Sequence, residues 1–121
     1  TERKVAGKPL RIYGNGKQTR DLIDVTDCAA FAIQAAMSGK TTGKILNVGT
    51  GREVTINQLA EMITAGKVPI EHIPHSHPQN EFPKLLCNYK KARDLLAWRP
   101  QVKLEAGLKR FQSWMEGKSH E

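Results

Sequence analysis

Arg20 is the side chain best suited to do chemistry. It closes the run Leu10-Arg11-Ile12-Tyr13-Gly14-Asn15-Gly16-Lys17-Gln18-Thr19-Arg20. A guanidinium donates two parallel hydrogen bonds from a planar fork, which matches a phosphate or a carboxylate. The Gly14-Asn15-Gly16 turn beside it holds residues that take positive φ at little steric cost, and such a turn exposes backbone N–H groups. The plain alternative is a surface arginine paired with Asp21 or Asp24, because most arginines are solvated. Asn47 is a second candidate, since an amide at a strand end can hydrogen-bond a sugar or phosphate oxygen or simply satisfy its own turn. His72, His75 and His77 have a spacing that invites a metal, but neither cysteine completes a usual ligand set, so no metal is expected. Tyr13 and Lys17 have the spacing of a proton-transfer pair on a helix. The glycine turn between them removes the helical geometry that would bring them together.

These groups need elements to hold them. Leu10 to Tyr13 is short, β-branched and aromatic, as a strand requires, and Leu22, Ile23 and Val25 resume an extended apolar pattern. Thr26 or Asp27 is then placed to cap a helix from Cys28. Cys28 to Met37 is alanine-rich and apolar on almost every face, which predicts burial on more than one side. Ile45 to Val48 reads as a strand, followed by a Gly49-Thr50-Gly51 turn. That turn lacks the third glycine of a dinucleotide cradle and is read as structural. Thr55 and Gln58 form a capping box, and Ile56, Leu59, Ala60 and Ile63 then mark one helix face to about Thr64. Val68 to Ile73 is a strand candidate, and Pro74 to Pro83 is a proline-punctuated loop. Asn88 caps a helix carrying Ala92, Leu95 and Leu96. Leu104, Leu108, Phe111 and Met115 mark a core-facing stripe of a final helix, with Trp98 and Trp114 as packing anchors. Thr1 to Ala6 is the tail of a helix ended by Gly7 and Pro9.

The bulk properties narrow the function classes. At 121 residues the chain is one domain long. Its longest nearly apolar run, Cys28 to Met37, is far below the roughly 20 residues that span a bilayer. The N-terminus has no apolar segment of a secretory signal and no initiator methionine, so the first residue is expected to lie inside a longer gene. Nineteen basic against twelve acidic side chains give a net charge of +7. The basic residues are dispersed and carry no aromatic stripe, so nucleic acid is a distant third reading, and a small phosphorylated ligand explains the excess as well. Cys28 and Cys87 sit in apolar contexts and read as reduced core residues of a cytoplasmic protein.

The motifs also resemble a known family. Gly7-Lys8-Pro9, Ile12-Tyr13-Gly14, Gln18-Thr19-Arg20-Asp21 and Val25-Thr26-Asp27 resemble the C-terminal part of the NAD-dependent nucleotide-sugar epimerases and dehydratases, the extended short-chain dehydrogenase/reductases. Leu46-Asn47-Val48-Gly49-Thr50-Gly51 is similar to that family's strand and turn. Asn88-Tyr89-Lys90-Lys91-Ala92-Arg93, followed by Trp98-Arg99-Pro100, is similar to its closing signature, and Asn80-Glu81-Phe82 looks nearest to some CDP-glucose dehydratases. UDP-glucose 4-epimerases and dTDP- or CDP-glucose 4,6-dehydratases are thus the nearest likenesses.

The resemblance implies an α/β fold of mixed short strands and helices, the substrate-binding C-terminal portion over residues 1–121, with the NAD-binding Rossmann core absent. It implies a nucleotide-diphosphate sugar as ligand, with Arg20 on the diphosphate, Asn47 on the substrate, and Leu10, Arg11, Ile12 and Tyr13 lining the base or sugar pocket. Where the family's loop brings an arginine and an acid over the nucleotide, His77-Pro78-Gln79 replaces the arginine and Glu81 keeps the acid. No catalytic residue and no cofactor-binding residue is expected in this chain, NAD belonging to the full-length family. Two partners are expected: the missing N-terminal NAD-binding portion or, in the alternative reading of a free-standing binding module, a second copy in a homodimer. The choice of nucleotide and of epimerisation or dehydration stays open.

Overall fold

The computed structural model describes residues 2–75, 77 and 82–118. Its elements are α1 (Glu2–Val5), β1 (Leu10–Tyr13), β2 (Thr19–Arg20), α2 (Val25–Ala36), β3 (Val54–Thr55), α3 (Ile56–Thr64), β4 (Ile70–Ile73), β5 (Lys84–Leu85), α4 (Lys90–Leu96) and α5 (Leu104–Lys118), with a short 3-10 turn at Gly39–Thr41. The α/β expectation holds, but the strands form two small sheets. β1 pairs in parallel with β4, Leu10 opposite Ile70 and Tyr13 opposite Ile73. In the other sheet β2 lies between β3, antiparallel, and β5, parallel. Alternation along β1 buries Ile12 and turns Arg11 and Tyr13 outward.

α3 packs against β1, and its start is set by the reciprocal pair anticipated from the sequence. Thr55 Oγ1 accepts from Gln58 N, and Gln58 Oε1 accepts from Thr55 N. α2 begins earlier than predicted. Its cap is neither Thr26 nor Asp27 but Asp24, whose Oδ1 accepts from the Thr26 amide at 2.9 Å. The apolar reading of Val25 as a strand residue yields to this local bond, which satisfies an otherwise orphaned amide of the first turn. Asp24 also holds Arg110 of α5 at 2.6 Å. The Thr26 hydroxyl and amide, with Arg110, bring its carboxyl down to about 2.

The core centres on Trp98, packed with Phe31, Ala92 and Leu96 and flanked by Ile23, Leu46, Val48 and Tyr89. Phe31 and Tyr89 meet the Trp98 ring edge-on, with centroids 5.3 and 5.7 Å away. Such pairs contribute about 0.5–1.5 kcal/mol each beyond their burial. Buried Asp27 reaches from α2 beneath this core and accepts from the amides of Gln101 and Val102. Gln112 ties α5 to the rest, accepting from Lys4 and donating to the Ile63 carbonyl.

Further sequence expectations fail, among them Asn88 as N-cap, since the cap position of α4 is Tyr89, which makes no side-chain cap bond. α2 is not buried on more than one side. Only Asp27 and Phe31 are buried, while Ile33 and Met37 are 62% and 83% exposed. Cys28 is exposed and Cys87 half-buried, so Cys28 is not a core residue. Phe111 and Trp114 stack on each other at the surface of α5 instead of anchoring a core. Residues 45–48 form no strand, because no partner strand lies beside them among the described residues, and Ile45 is 85% exposed.

Candidate functional site

β2 contributes Arg20 to the centre of its sheet, opposite Val54 on one side and Leu85 on the other. Pairing on both flanks fixes its backbone, and its Nη1 donates to the carbonyls of Thr19 (2.7 Å) and Phe82 (3.0 Å). The guanidinium thereby fastens the end of the 74–83 loop to β2. Arg20 also lines an open groove of about 570 Å³. Residues 46–48 form one wall of it, residues 85–88 the other, and residues 20–22 the floor. Asn47 lies on the first wall and is exposed. Leu85 and Leu86 are exposed on the opposite wall. The combination of a cation, an amide and apolar surface suits an amphiphilic anion, with the charge at Arg20 and a ring against the leucines.

Asp21, on the floor, would repel such a ligand if its charge were unpaired. Its Oδ1 accepts from Thr50 N at 2.9 Å and from the Thr50 hydroxyl, and its Oδ2 accepts from Gly51 N (2.8 Å) and Cys87 N (3.2 Å). Asp24 is likewise committed, to Thr26 and Arg110. The sequence offered Asp21 and Asp24 only as possible partners of Arg20 and missed their structural use. The three-residue spacing of Asp21, Asp24 and Asp27 was the available signal, each carboxylate reaching a different distant segment. Because the Thr50 and Gly51 amides point at Asp21, the Gly49-Thr50-Gly51 turn has no N–H nest to offer a phosphate there, in keeping with its structural reading. Cys87 has its thiol pushed up by burial and by the Asp21 charge, so it remains protonated near neutral pH.

The other sequence candidates separate. Leu10 to Tyr13 do not line the Arg20 groove. Ile12 is core, Arg11 pairs with Glu71 at 3.4 Å, and Tyr13 stands edge-on to His75. Glu81 and Asn80 lie outside the described residues. Tyr13 and Lys17 are split by the turn at Gly14 and Gly16, both at positive φ. His72 bonds Asn57 at 2.9 Å, and Asn57 in turn donates to the Asn15 carbonyl, so this histidine braces the glycine turn. His75 Nδ1 accepts from His77 N. Among the described residues no three His, Cys, Asp or Glu side chains converge on one point. A second cavity, about 530 Å³, lies between α3 and the start of α5, and neither Arg20 nor Asn47 reaches it. No helix among the described residues is long and apolar enough to cross a membrane.

Residues 2–111 match the family described as GDP-mannose 4,6 dehydratase. The chain belongs to the NAD-dependent sugar epimerase/dehydratase family. It is 33% identical over 115 residues to a UDP-N-acetyl-alpha-D-glucosaminuronate decarboxylase of Bacillus cytotoxicus, which covers 89% of the chain but only 36% of that protein. The solved structure of Pal from Bacillus thuringiensis is 50% identical with a TM-score of 0.92, over 98% of this chain and 37% of Pal. UDP-glucuronic acid 4-epimerase from Bacillus cereus, solved with UDP-glucuronic acid and NAD, is 26% identical with a TM-score of 0.85, over 97% of this chain and 38% of the epimerase. The chain thus spans little more than a third of the length of these relatives.

Proposed function

We propose that this chain is the C-terminal, nucleotide-sugar-recognising portion of an NAD-dependent epimerase or dehydratase and is not catalytically competent without an upstream portion. The observation that carries this reading is the meeting of Arg20 and Asn47, 27 positions apart in sequence, on one groove. Arg20 donates to the diphosphate, Asn47 contacts the substrate, and Glu81 orients the segment that Arg20 fastens through Phe82. The residues present do not fit a dinucleotide. The Thr50 and Gly51 amides are taken by Asp21, and Tyr13 and Lys17 cannot act together across a turn. NAD therefore belongs to the upstream portion, and no hydride-transfer step is assigned to this chain.

The exposed apolar face of α2, with Ile33, Met37 and the nearby sequence at Ile45, supports the need for a cover. The same face favours a second reading, a dimeric binding module in which another copy supplies that cover. Calorimetric titration with UDP, CDP, dTDP and their sugar conjugates tests the first reading. Binding should be weakened about 10- to 100-fold by Arg20→Ala, the worth of a charge-assisted hydrogen-bond pair. Absence of binding by the wild-type chain would overturn it, and light scattering at high concentration would then distinguish the dimeric module.

A further inference from the structure

The groove is only as wide as the separation of its two walls, and one carboxylate holds both. Asp21 lies on the floor directly after Arg20. Through Oδ1 it takes the amide and hydroxyl of Thr50, which continues the wall carrying Asn47. Through Oδ2 it takes the amides of Gly51 and of Cys87, the latter in the opposite wall. The walls touch at one end. A Cβ added at Gly49 would overlap that of Cys87 and stand 2.7 Å from its Sγ and 3.0 Å from Asp21 Oδ2. Gly49 is buried, so its missing side chain is what lets the walls close on the carboxylate. Each segment is otherwise irregular and carries no sheet ladder at 46–51 or 86–88 to fix it.

We propose that Asp21 is the positioning residue of the groove. Its two oxygens set the distance from Asn47 to the Cys87 wall, and hence the fit of a nucleoside diphosphate beside Arg20. The proposal rests on the functional reading above for the identity of the ligand. Asp21 does not touch that ligand. Its negative charge is consumed by four donors, three of them backbone N–H groups. An asparagine has one acceptor oxygen where the carboxylate has two, so Asp21→Asn must give up either the Thr50 contacts or the shared contact to Gly51 and Cys87.

The test pairs UDP titration with amide hydrogen exchange on the full chain. Asp21→Asn should weaken UDP binding about tenfold, equivalent to losing one or two net hydrogen bonds, and should speed exchange either at Thr50 or at Gly51 and Cys87 together, according to which oxygen is lost. Thr50→Val, which removes only the hydroxyl contact, should give a smaller loss of about two- to threefold with the chain fully folded. Asp27→Asn is the control. It should speed exchange at Gln101 and Val102, the amides Asp27 holds, and leave UDP affinity unchanged. Wild-type affinity in both Asp21→Asn and Thr50→Val would overturn the proposal while leaving the functional reading intact. An equal loss in Asp27→Asn would also overturn it, by showing that affinity follows general loosening. Failure of the wild-type chain to bind UDP would overturn the functional reading, and the positioning role with it.

Discussion

Helix α2 has two faces with opposite fates. The inner one presents Phe31 to Trp98, Ala92 and Leu96, where each apolar group is covered by residues from α4 and the segment after it. The outer one presents Ile33 and Met37 to solvent, and Ile45 beyond the helix is more exposed still. Both faces carry apolar residues, so the presence of apolar side chains alone does not distinguish them. What does is the supply of a partner. Leu96 and Trp98 come back to one face from 65 and 67 positions beyond Phe31, and no described residue covers Ile33 and Met37 on the other. Large apolar patches are seldom left bare, which is why this face enters the proposed function as one in need of a cover. The groove stands between these extremes, since its walls are held by hydrogen bonds to Asp21 and need no covering layer.

That contrast can be broken most forcefully at its packed side. Trp98→Ala should cost about 3–5 kcal/mol, removing a buried ring and two edge contacts, and should lower the denaturation midpoint or abolish the cooperative transition. A loss below about 1 kcal/mol would mean that the inner face is as dispensable as the outer one.

Asp24 sharpens the comparison at the root of the helix that carries both faces. Its carboxyl is held at about 2, against an ordinary 3.8. A group depressed in the folded state stabilises fully above its unfolded value and loses that contribution as pH falls through the folded one. Stability should therefore decline between pH 3.8 and about 2. Asp24→Ala should flatten that part of the profile and cost about 1 kcal/mol at neutral pH through loss of the cap. An unchanged acid limb in thermal melts would show that the bonds to Thr26 and Arg110 do not anchor α2.

The smallest effect is expected on the open face. Met37→Lys should change the stability of the isolated chain by less than about 0.5 kcal/mol, because the side chain is already solvated. If a second copy covers the face, the same change should lower self-association in sedimentation. If an upstream portion covers it, Met37→Lys should destabilise the longer protein and leave the isolated chain monomeric.

Much of this fold was legible from local pattern. The capping box at Thr55 and Gln58, the α3 stripe and the glycine turn between Tyr13 and Lys17 are interactions among residues a few positions apart, and each forms as read. Trp98 was legible as an anchor because a large ring rarely stays uncovered when neighbours are at hand. Cys28, Phe111 and Trp114 were misread for one reason. Apolar periodicity identifies a face but not what lies on it. The segment at 45–48 failed likewise, since a strand exists only where another strand completes its ladder. The site was half legible. Arg20 was singled out by its donor fork beside a glycine turn and Asn47 as a strand-end amide, their roles coming from the family resemblance, while Asp21 was seen only as a neighbouring charge.

By itself the sequence determined which residues turn, which start helices and which side chains carry donors suited to a phosphate, because those properties belong to single residues and near neighbours. The tertiary structure alone decided that Arg20 and Asn47 share a groove, that Asp21 spends both oxygens on segments 29 to 66 positions away, and that one face of α2 is left open. Those outcomes depend on which distant segments meet, and no local preference encodes a meeting.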